Sequence, residues 1–418
     1  LDPNSMRYFE KYSNSKLNRL KEITDLQWGI LGSHVHLIAS ASYPFASALQ
    51  ALSEPSLVFP AEGMPGARYL PGAEVMDAVE NEGEKLVLDL FGNPAGYRAT
   101  LQPHSGTQAN QIAFNAVLKQ EDVVLCLKPR DGGHISHSVL VGRRNRTQNF
   151  SLDQDGLIDY GGLRTLALRV RPRLIIVGGS ALPRQIDFDL CGEIAQECGA
   201  YLHADISHTA TFIAAGIHYS PFPHCDFVTF NTVKNLRGPN AGILLYRERL
   251  QSAVHSSIFP TSQGGANENA MLGKFATLLE WQQRDIATYA RNIVAQAHAM
   301  AAVFQSEGIR LTTGGTDCHI LLLELAGLET TGAQFERTLE NQGVLVNKNL
   351  IPGDTRGPTE TSGIRIGTTN LAILNYDLED TKALAYWIAQ HSRGAPTRPE
   401  LIAELVEKYH VGNAWLNS

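Results

Sequence analysis

Short apolar runs rich in β-branched residues recur along this chain, separated by segments of helical period. "DVVLCL" (122–127), "RLIIVGG" (173–179), "AYLHAD" (200–205), "DFVTF" (226–230) and "GILLYR" (242–247) are the clearest strands. "TQANQIAFNAVLK" (107–119) and "LCGEIAQECGA" (190–200) carry helical spacing between them. That alternation predicts an α/β fold with a mostly parallel sheet. From Asp285 to about Gln305 the sequence reads as one long amphipathic helix without an internal Gly or Pro. Beyond it, "CHILLLEL" (318–325) and "TSGIRIGTT" (361–369) read as strands of a smaller α+β unit. The expected division is an N-terminal arm or helical segment over 1–50, a large domain over 51–290 and a small C-terminal domain over 291–418. There is no internal repeat and no low-complexity segment.

Composition narrows the function classes. With 418 residues, 43% of them hydrophobic and 18% charged, the chain can bury a large core. The net charge is -7 and the basic residues are scattered, which argues against a nucleic-acid or anionic-membrane surface. No apolar run approaches the roughly 20 residues that span a bilayer. The polar opening "LDPNSMRYFEKYSNSKLNRLKEI" lacks the apolar core of a secretion signal, and Leu1 in place of Met reads as a trimmed or engineered start. Five cysteines, an odd number without a C-x-x-C, speak against a disulfide framework or a zinc knuckle. The expectation is a soluble cytoplasmic enzyme.

In parallel α/β sheets ligands collect beyond the carboxyl ends of strands. Three polar features fall at such ends. Asp205 closes "AYLHAD", Lys234 closes "VTFNTVK", and "QPHSGTQAN" (102–110) places Ser105, Gly106 and Thr107 at a helix start suited to an anion. Each alone has an ordinary explanation: a loop carboxylate, a solvated lysine, a helix cap. Together they are an anion cradle, a carboxylate and an amine, which is what pyridoxal phosphate needs for its phosphate, its ring nitrogen and its Schiff base. The histidine pairs His34/His36, His134/His137 and His203/His208 come without an H-E-x-x-H helix, so no metal site is expected. No G-x-G-x-x-G in a βαβ context marks a dinucleotide site.

These motifs resemble the serine hydroxymethyltransferase family over nearly the whole chain. "LIASASY" (37–43) is similar to the family's "LIASENY", "PAEGMPGARYLPG" (60–72) to "YAEGYPGKRYYGG", and "QPHSGTQAN" to "QPHSGSQAN". "GGHISHS" (132–138) is similar to "GGHLTHG", "DISHTATFIAAG" (205–216) to "DMAHVAGLVAAG", and "TVKNLRGPNAG" (232–242) to "THKTLRGPRGG", while "TSGIRIGT" (361–368) is intact. The resemblance implies the pyridoxal-phosphate fold type I, with a mostly parallel seven-stranded sheet in a large cofactor-binding domain and a smaller α+β C-terminal domain. It implies that Lys234 forms the Schiff base, Asp205 pairs with the ring nitrogen, and His134 stacks on the ring with Ser180 and His208 in support. Ser105, Gly106 and Thr107 would hold the phosphate. Gly264 and Gly265 of "QGG" would reach it from a partner subunit, implying a homodimer with shared sites or a tetramer. Arg365 would clamp the substrate carboxylate with Ser40 nearby, a task that suits a guanidinium. Glu62 would handle protons, and Tyr69 and Asn349 would line the substrate and folate side.

Departures from the family pattern cluster. Val233 replaces the histidine before the lysine, Pro60 and Leu70 replace tyrosines, and Asn240 replaces the arginine after "RGP". Ala41 replaces the glutamate of "SENY", and Thr359-Glu360 replaces a Phe-Val pair. Loss of polar groups that position a reacting centre costs about a hundredfold in rate. The expected activity is making or breaking the Cα–Cβ bond of glycine, serine or related β-hydroxy or α-substituted amino acids. Tetrahydrofolate is left open as a second substrate. The alternatives are a folate-independent threonine-type aldolase or transaldolase, another pyridoxal-phosphate reaction (decarboxylation, transamination, racemisation), and a non-enzymatic scaffold subunit.

Overall fold

The computed structural model describes residues 15–55, 60–394 and 398–412, with side chains from residue 18. Residues 1–14, the start of the expected N-terminal arm, lie outside the described residues. Seven strands form the large sheet: β1 Tyr97–Thr100, β2 Val123–Leu127, β3 Arg146–Phe150, β4 Leu174–Gly178, β5 Tyr201–Asp205, β6 Phe227–Asn231 and β7 Gly242–Arg247. Their spatial order is β1-β7-β6-β5-β4-β2-β3. Neighbours from β6 through to β3 run parallel, and β7 is antiparallel to both β6 and β1. This is the α/β architecture of pyridoxal-phosphate fold type I, with a mostly parallel seven-stranded sheet.

The central strands are largely apolar because both faces are covered. Alternate residues point to opposite sides: Leu125, Leu127, Ile175, Val177, Leu202 and Ala204 enter one core, while Val124, Cys126, Leu174 and Ile176 enter another. The edge strands β1 "YRAT" and β3 "RTQNF" were not among the expected strands. β3 is half exposed and polar, so its sequence lacks the apolar run that marks β4 or β7.

Helices α1 Ser15–Ser33, α2 Gly106–Val117, α3 Phe188–Cys198, α4 Glu268–Gln282 and α5 Ile286–Ser306 carry much of the remaining structure. Side-chain caps start four of them: Ser105 on α2, Asp187 on α3, Asn267 on α4 and Asp285 on α5, each accepting a hydrogen bond from an amide three residues on. The long helix expected from Asp285 is α5. Its Ala297, Met300, Ala301 and Phe304 pack into a second core with the antiparallel strands β8 Ile320–Glu324 and β10 Gly363–Gly367, and the short polar strand β9 Asn347–Asn349 pairs antiparallel with β10. Val35 and Leu37 join this second core, and Val35–His36 pairs parallel with Val344–Leu345. Among the described residues no helix is long and apolar enough to cross a membrane.

Candidate active site

The carboxyl ends of β4, β5 and β6 meet the N-terminus of α2. Gly178, the last residue of β4, has φ +117°, and a Cβ there would lie 2.1 Å from the Asp205 carbonyl oxygen. The two strand ends therefore touch backbone to backbone, which only glycine permits.

Asp205 is buried, and its carboxylate is the centre of a polar network. Oδ2 accepts from Asn110 Nδ2 (2.8 Å) and His137 Nε2 (3.0 Å), and Oδ1 accepts from the Ser207 amide (3.1 Å). Asn110 is held in turn by Thr229 Oγ1, which donates to its Oδ1 (2.6 Å), and Asn110 also donates to Ser136 Oγ (3.0 Å). Burial opposes ionisation of Asp205, but the His137 N–H, the Lys234 charge and the Ser207 amide outweigh it, holding the carboxyl well below its usual range. Neither Asn110 nor His137 was assigned a role from sequence. Their partner lies 95 and 68 residues away, and the only local signal is their place inside the quoted motifs "QPHSGTQAN" and "GGHISHS".

Lys234 sits in the tight turn after β6, three residues beyond the strand end at Asn231, rather than closing the strand itself. Ser42 Oγ donates to the carbonyls of Val233 (2.9 Å) and Lys234, so the "LIASASY" segment pins the lysine turn. Among the described residues the Lys234 amine has no hydrogen-bond partner. Burial pushes its pKa down to about 8, opposed by Asp205 and assisted by Arg365. Ser40, two residues before Ser42, is half-buried and makes no side-chain hydrogen bond among the described residues.

Arg365 lies on β10, opposite Leu322 of β8 and Asn347 of β9. It is 8% exposed, donates from Nε to Asn347 Oδ1 (3.1 Å) and from Nη1 to the Ser180 carbonyl (2.5 Å), and has no carboxylate partner among the described residues. Burial pushes its pKa down to about 10. Ser180 thus enters the site through its backbone, and Asn347 orients the guanidinium. Asn349, at the other end of β9, donates to the Leu350 carbonyl (2.6 Å).

Two histidines flank these groups. His134 Nδ1 accepts from the Ser136 amide (3.2 Å), and burial pushes its pKa down to about 4, so the ring is neutral. His208 is buried against His319, rings stacked 5.4 Å apart with their planes nearly parallel, at 14°. His319 Nε2 donates to the Ala39 carbonyl (3.0 Å) and its Nδ1 accepts from Asn235 Nδ2 (3.1 Å). Burial and the positive charges of Lys234 and Arg365 hold His208 neutral, and its buried Nε2 has no partner. His134, His137 and Asp205 each bring one ligand atom within 4.8 Å of the others, a set able to hold a metal ion. In this structure those atoms are already engaged by Ser136 and Asn110 and by each other.

The anion cradle lies alongside. Ser105 Oγ accepts from the Gln108 amide (3.1 Å) and the Ser105 carbonyl accepts from Ala109 (2.9 Å), leaving the Gly106 and Thr107 amides in the unpaired first turn of α2. A Cβ on Gly106 would lie 3.3 Å from Asn231 Cβ and 3.6 Å from Ser207 Oγ, so the helix start is closely packed against the β6 end.

Glu62 and Tyr69 flank the hairpin of Gly63–Met64 and Ala67–Arg68 and gather with Gly264 and Gly265 beside the 102–108 loop, where Gln108 Nε2 donates to the Ser262 carbonyl (3.2 Å), Gln263 Nε2 to Gln102 Oε1 (3.2 Å) and Gln102 Nε2 to the Gly63 carbonyl (3.0 Å). Glu62 bridges to Gly265, the Ala61 amide donates to Glu268 Oε1 (2.6 Å), and Tyr69 packs on Phe259 (4.8 Å between centroids) while remaining 68% exposed. Arg68 anchors this hairpin from below through Asp77 (2.8 Å) and Glu80 (2.5 Å).

The groups that would meet pyridoxal phosphate are thus in place: an amine without a hydrogen-bond partner on the half-buried Lys234, an ionised Asp205, unpaired amides at the α2 start, and the unpartnered His208 Nε2. Those residues fit the cofactor. The model of the family described as Serine hydroxymethyltransferase matches residues 18–388, most of the chain. Members of that family use pyridoxal phosphate, bind amino-acid substrates and oligomerise. On the match and the site together, the chain belongs to the serine hydroxymethyltransferase family.

Proposed function

We propose that the protein makes or breaks the Cα–Cβ bond of glycine, serine or a related β-hydroxy or α-substituted amino acid, using pyridoxal phosphate. Arg365 carries this reading. A buried guanidinium without a carboxylate partner among the described residues, in the electrostatic neighbourhood of Lys234, calls for an anionic ligand. A substrate carboxylate meets it in the bidentate geometry that arginine favours.

Bound at this site, pyridoxal phosphate supplies an electron sink for charge developing at Cα. The chain's own groups supply the rest. Lys234, with its pKa near 8, keeps a useful neutral fraction at physiological pH and is both nucleophile and proton carrier. Ionised Asp205 holds a proton on a base placed opposite it, and His137 and Asn110 fix the direction of its oxygens. His134 offers a neutral planar face, and His208 offers an N–H donor from Nε2. Arg365 fixes the carboxylate and so decides which Cα bond is aligned for cleavage.

Glu62, Tyr69, Gly264 and Gly265 make no hydrogen bond to Asp205, Lys234 or Arg365 among the described residues, which supports a homodimer, or a tetramer, in which these residues complete the site of a second copy. α1 supports it as well: Leu20, Ile23, Leu26 and Ile30 are each between 46% and 67% exposed. The two cores support a large cofactor domain over 51–290 and a small domain over 291–418, with 1–50 as an arm reaching the small domain. Five free, buried cysteines support a reducing, cytoplasmic setting.

A second reading concerns the carbon partner. Val233, Pro60 and Leu70 place apolar side chains where the family pattern has polar ones. Those replacements favour a carbonyl substrate taken up free, as in an aldolase or transaldolase, over one delivered by tetrahydrofolate. The test of the main reading is product analysis with a panel of β-hydroxy amino acids. Aldehyde and the shortened amino acid in equal amounts are expected. Carbon dioxide, a keto acid or an inverted α-carbon as the main product would overturn it, as would a cofactor-loaded protein inert to every amino acid.

A further inference from the structure

Lys274 lies in the middle of α4 and is fully buried, where a lysine is costly. Its amine donates to three backbone carbonyls, those of Leu101, Pro103 (3.1 Å) and Gly242 (3.1 Å). An ammonium has three donors and no acceptor, so three carbonyls match its charged form. Burial pushes its pKa down to about 7, and Glu80 opposes that. Glu80 is not paired with it directly, being held by Arg68 (2.5 Å) and Gln102 (3.0 Å).

The three carbonyls share a location. Leu101 and Pro103 belong to the loop that leads into α2, and Gly242 opens β7 beside it. A Cβ on Gly242 would lie 2.2 Å from the Ser105 carbonyl oxygen and 3.0 Å from the Gly106 amide nitrogen. Lys274 therefore grips the back of the segment whose front presents the unpaired α2 amides.

We propose that Lys274 is a positioning residue for anion binding: its ammonium fixes the 101–105 loop and Gly242 so that the first-turn amides of α2 meet a phosphate group, and its charge strengthens that site from behind. The proposal rests on the reading that Ser105, Gly106 and Thr107 take the cofactor phosphate. It makes phosphate affinity, rather than ring binding, depend on a residue that touches neither.

Equilibrium binding to the cofactor-free protein tests it, comparing wild type with Lys274→Met for pyridoxal phosphate, inorganic phosphate and pyridoxal. Loss of one nearby buried charge is expected to weaken the two phosphate ligands by roughly tenfold or more, with pyridoxal unchanged. Equal weakening of all three, or no weakening, would overturn the proposal. Wild-type protein that binds pyridoxal and pyridoxal phosphate equally would overturn instead the phosphate reading beneath it. If Lys274→Met fails to fold, the ¹⁵Nζ resonance of the exchange-protected lysine in wild-type protein decides. It is expected to shift on adding inorganic phosphate, and an unmoved signal at saturation overturns the role.

Discussion

The β4–β6 strand ends and the 61–70 hairpin carry two halves of one proposed chemistry, and they are built on different terms. At the strand ends, Asp205 accepts three hydrogen bonds, and one of its donors, Asn110, is held in turn by Thr229. Arg365 is oriented by Asn347 and the Ser180 carbonyl. The hairpin is fastened by Arg68 to Asp77 and Glu80, by the Gly66 amide to Asp77 (2.7 Å) and by Gln102 to the Gly63 carbonyl (3.0 Å), while Tyr69 and Leu70 just beyond it are 68% and 38% exposed. The residues that would meet the cofactor and the substrate carboxylate (Lys234, Asp205, His134, Ser105 and Arg365) are kept at the first region, though Ala41, Val233, Asn240 and Thr359-Glu360 depart from the family pattern around them, and the 60–70 segment carries Pro60 and Leu70. A network in which each group fixes the next leaves little room for substitution. The exposed residues that follow the hairpin can change the second substrate without disturbing the electron sink.

The largest effect that would break this contrast is at the lysine. Lys234→Ala is expected to lower turnover by about a thousandfold or more, since among the described residues no other amine is positioned as nucleophile, and to abolish the covalent cofactor absorbance. An unchanged spectrum would remove the cofactor assignment. Arg365→Ala comes next: loss of charge-assisted bonds of about 3 kcal/mol weakens amino-acid binding about a hundredfold while leaving cofactor bound. Tyr69→Phe on the hairpin is expected to change the same constant only a fewfold, and a hundredfold effect there would erase the contrast. His137→Ala removes one donor to Asp205, with an expected loss of about tenfold in turnover. Asn110 would still hold the carboxylate in place.

The smallest effect sharpens the account through pH. Burial lowers the Lys234 pKa from 10.5 to about 8, so the charged form is disfavoured in the folded protein and the neutral amine grows in as pH rises through 8. Borohydride trapping of pyridoxal on the cofactor-free protein should be half-maximal near pH 8. A midpoint near 10.5 would show an ordinary, solvated lysine.

Sequence showed the interior of the fold better than its edges. β2 and β4 are unbroken apolar runs because both faces are buried, and burial writes itself into sequence. β1 and β3 sit at the sheet edges, where β3 is largely exposed and its "RTQNF" resembles loop. In the site, Lys234, Asp205 and Arg365 were legible because motif and chemistry named them. Asn110, His137, Asn347 and Ser42 act by holding those groups, and each is joined to its partner only by the tertiary fold. Lys274 was invisible for a different reason: a lone lysine in a helix reads as solvated. Its one sequence clue is the apolar company of Met271, Phe275 and Leu278 on the same face.

The central claim is that the cofactor half of the site is intact while the second-substrate half has changed. The visible spectrum of the purified holoprotein with glycine, recorded before and after adding a reduced folate, tests it most directly. Glycine is predicted to change the cofactor absorbance, and folate to add nothing further. A long-wavelength band that grows only when folate is present would contradict the account, because it would show the hairpin half working as in the folate-using members despite Val233, Pro60 and Leu70.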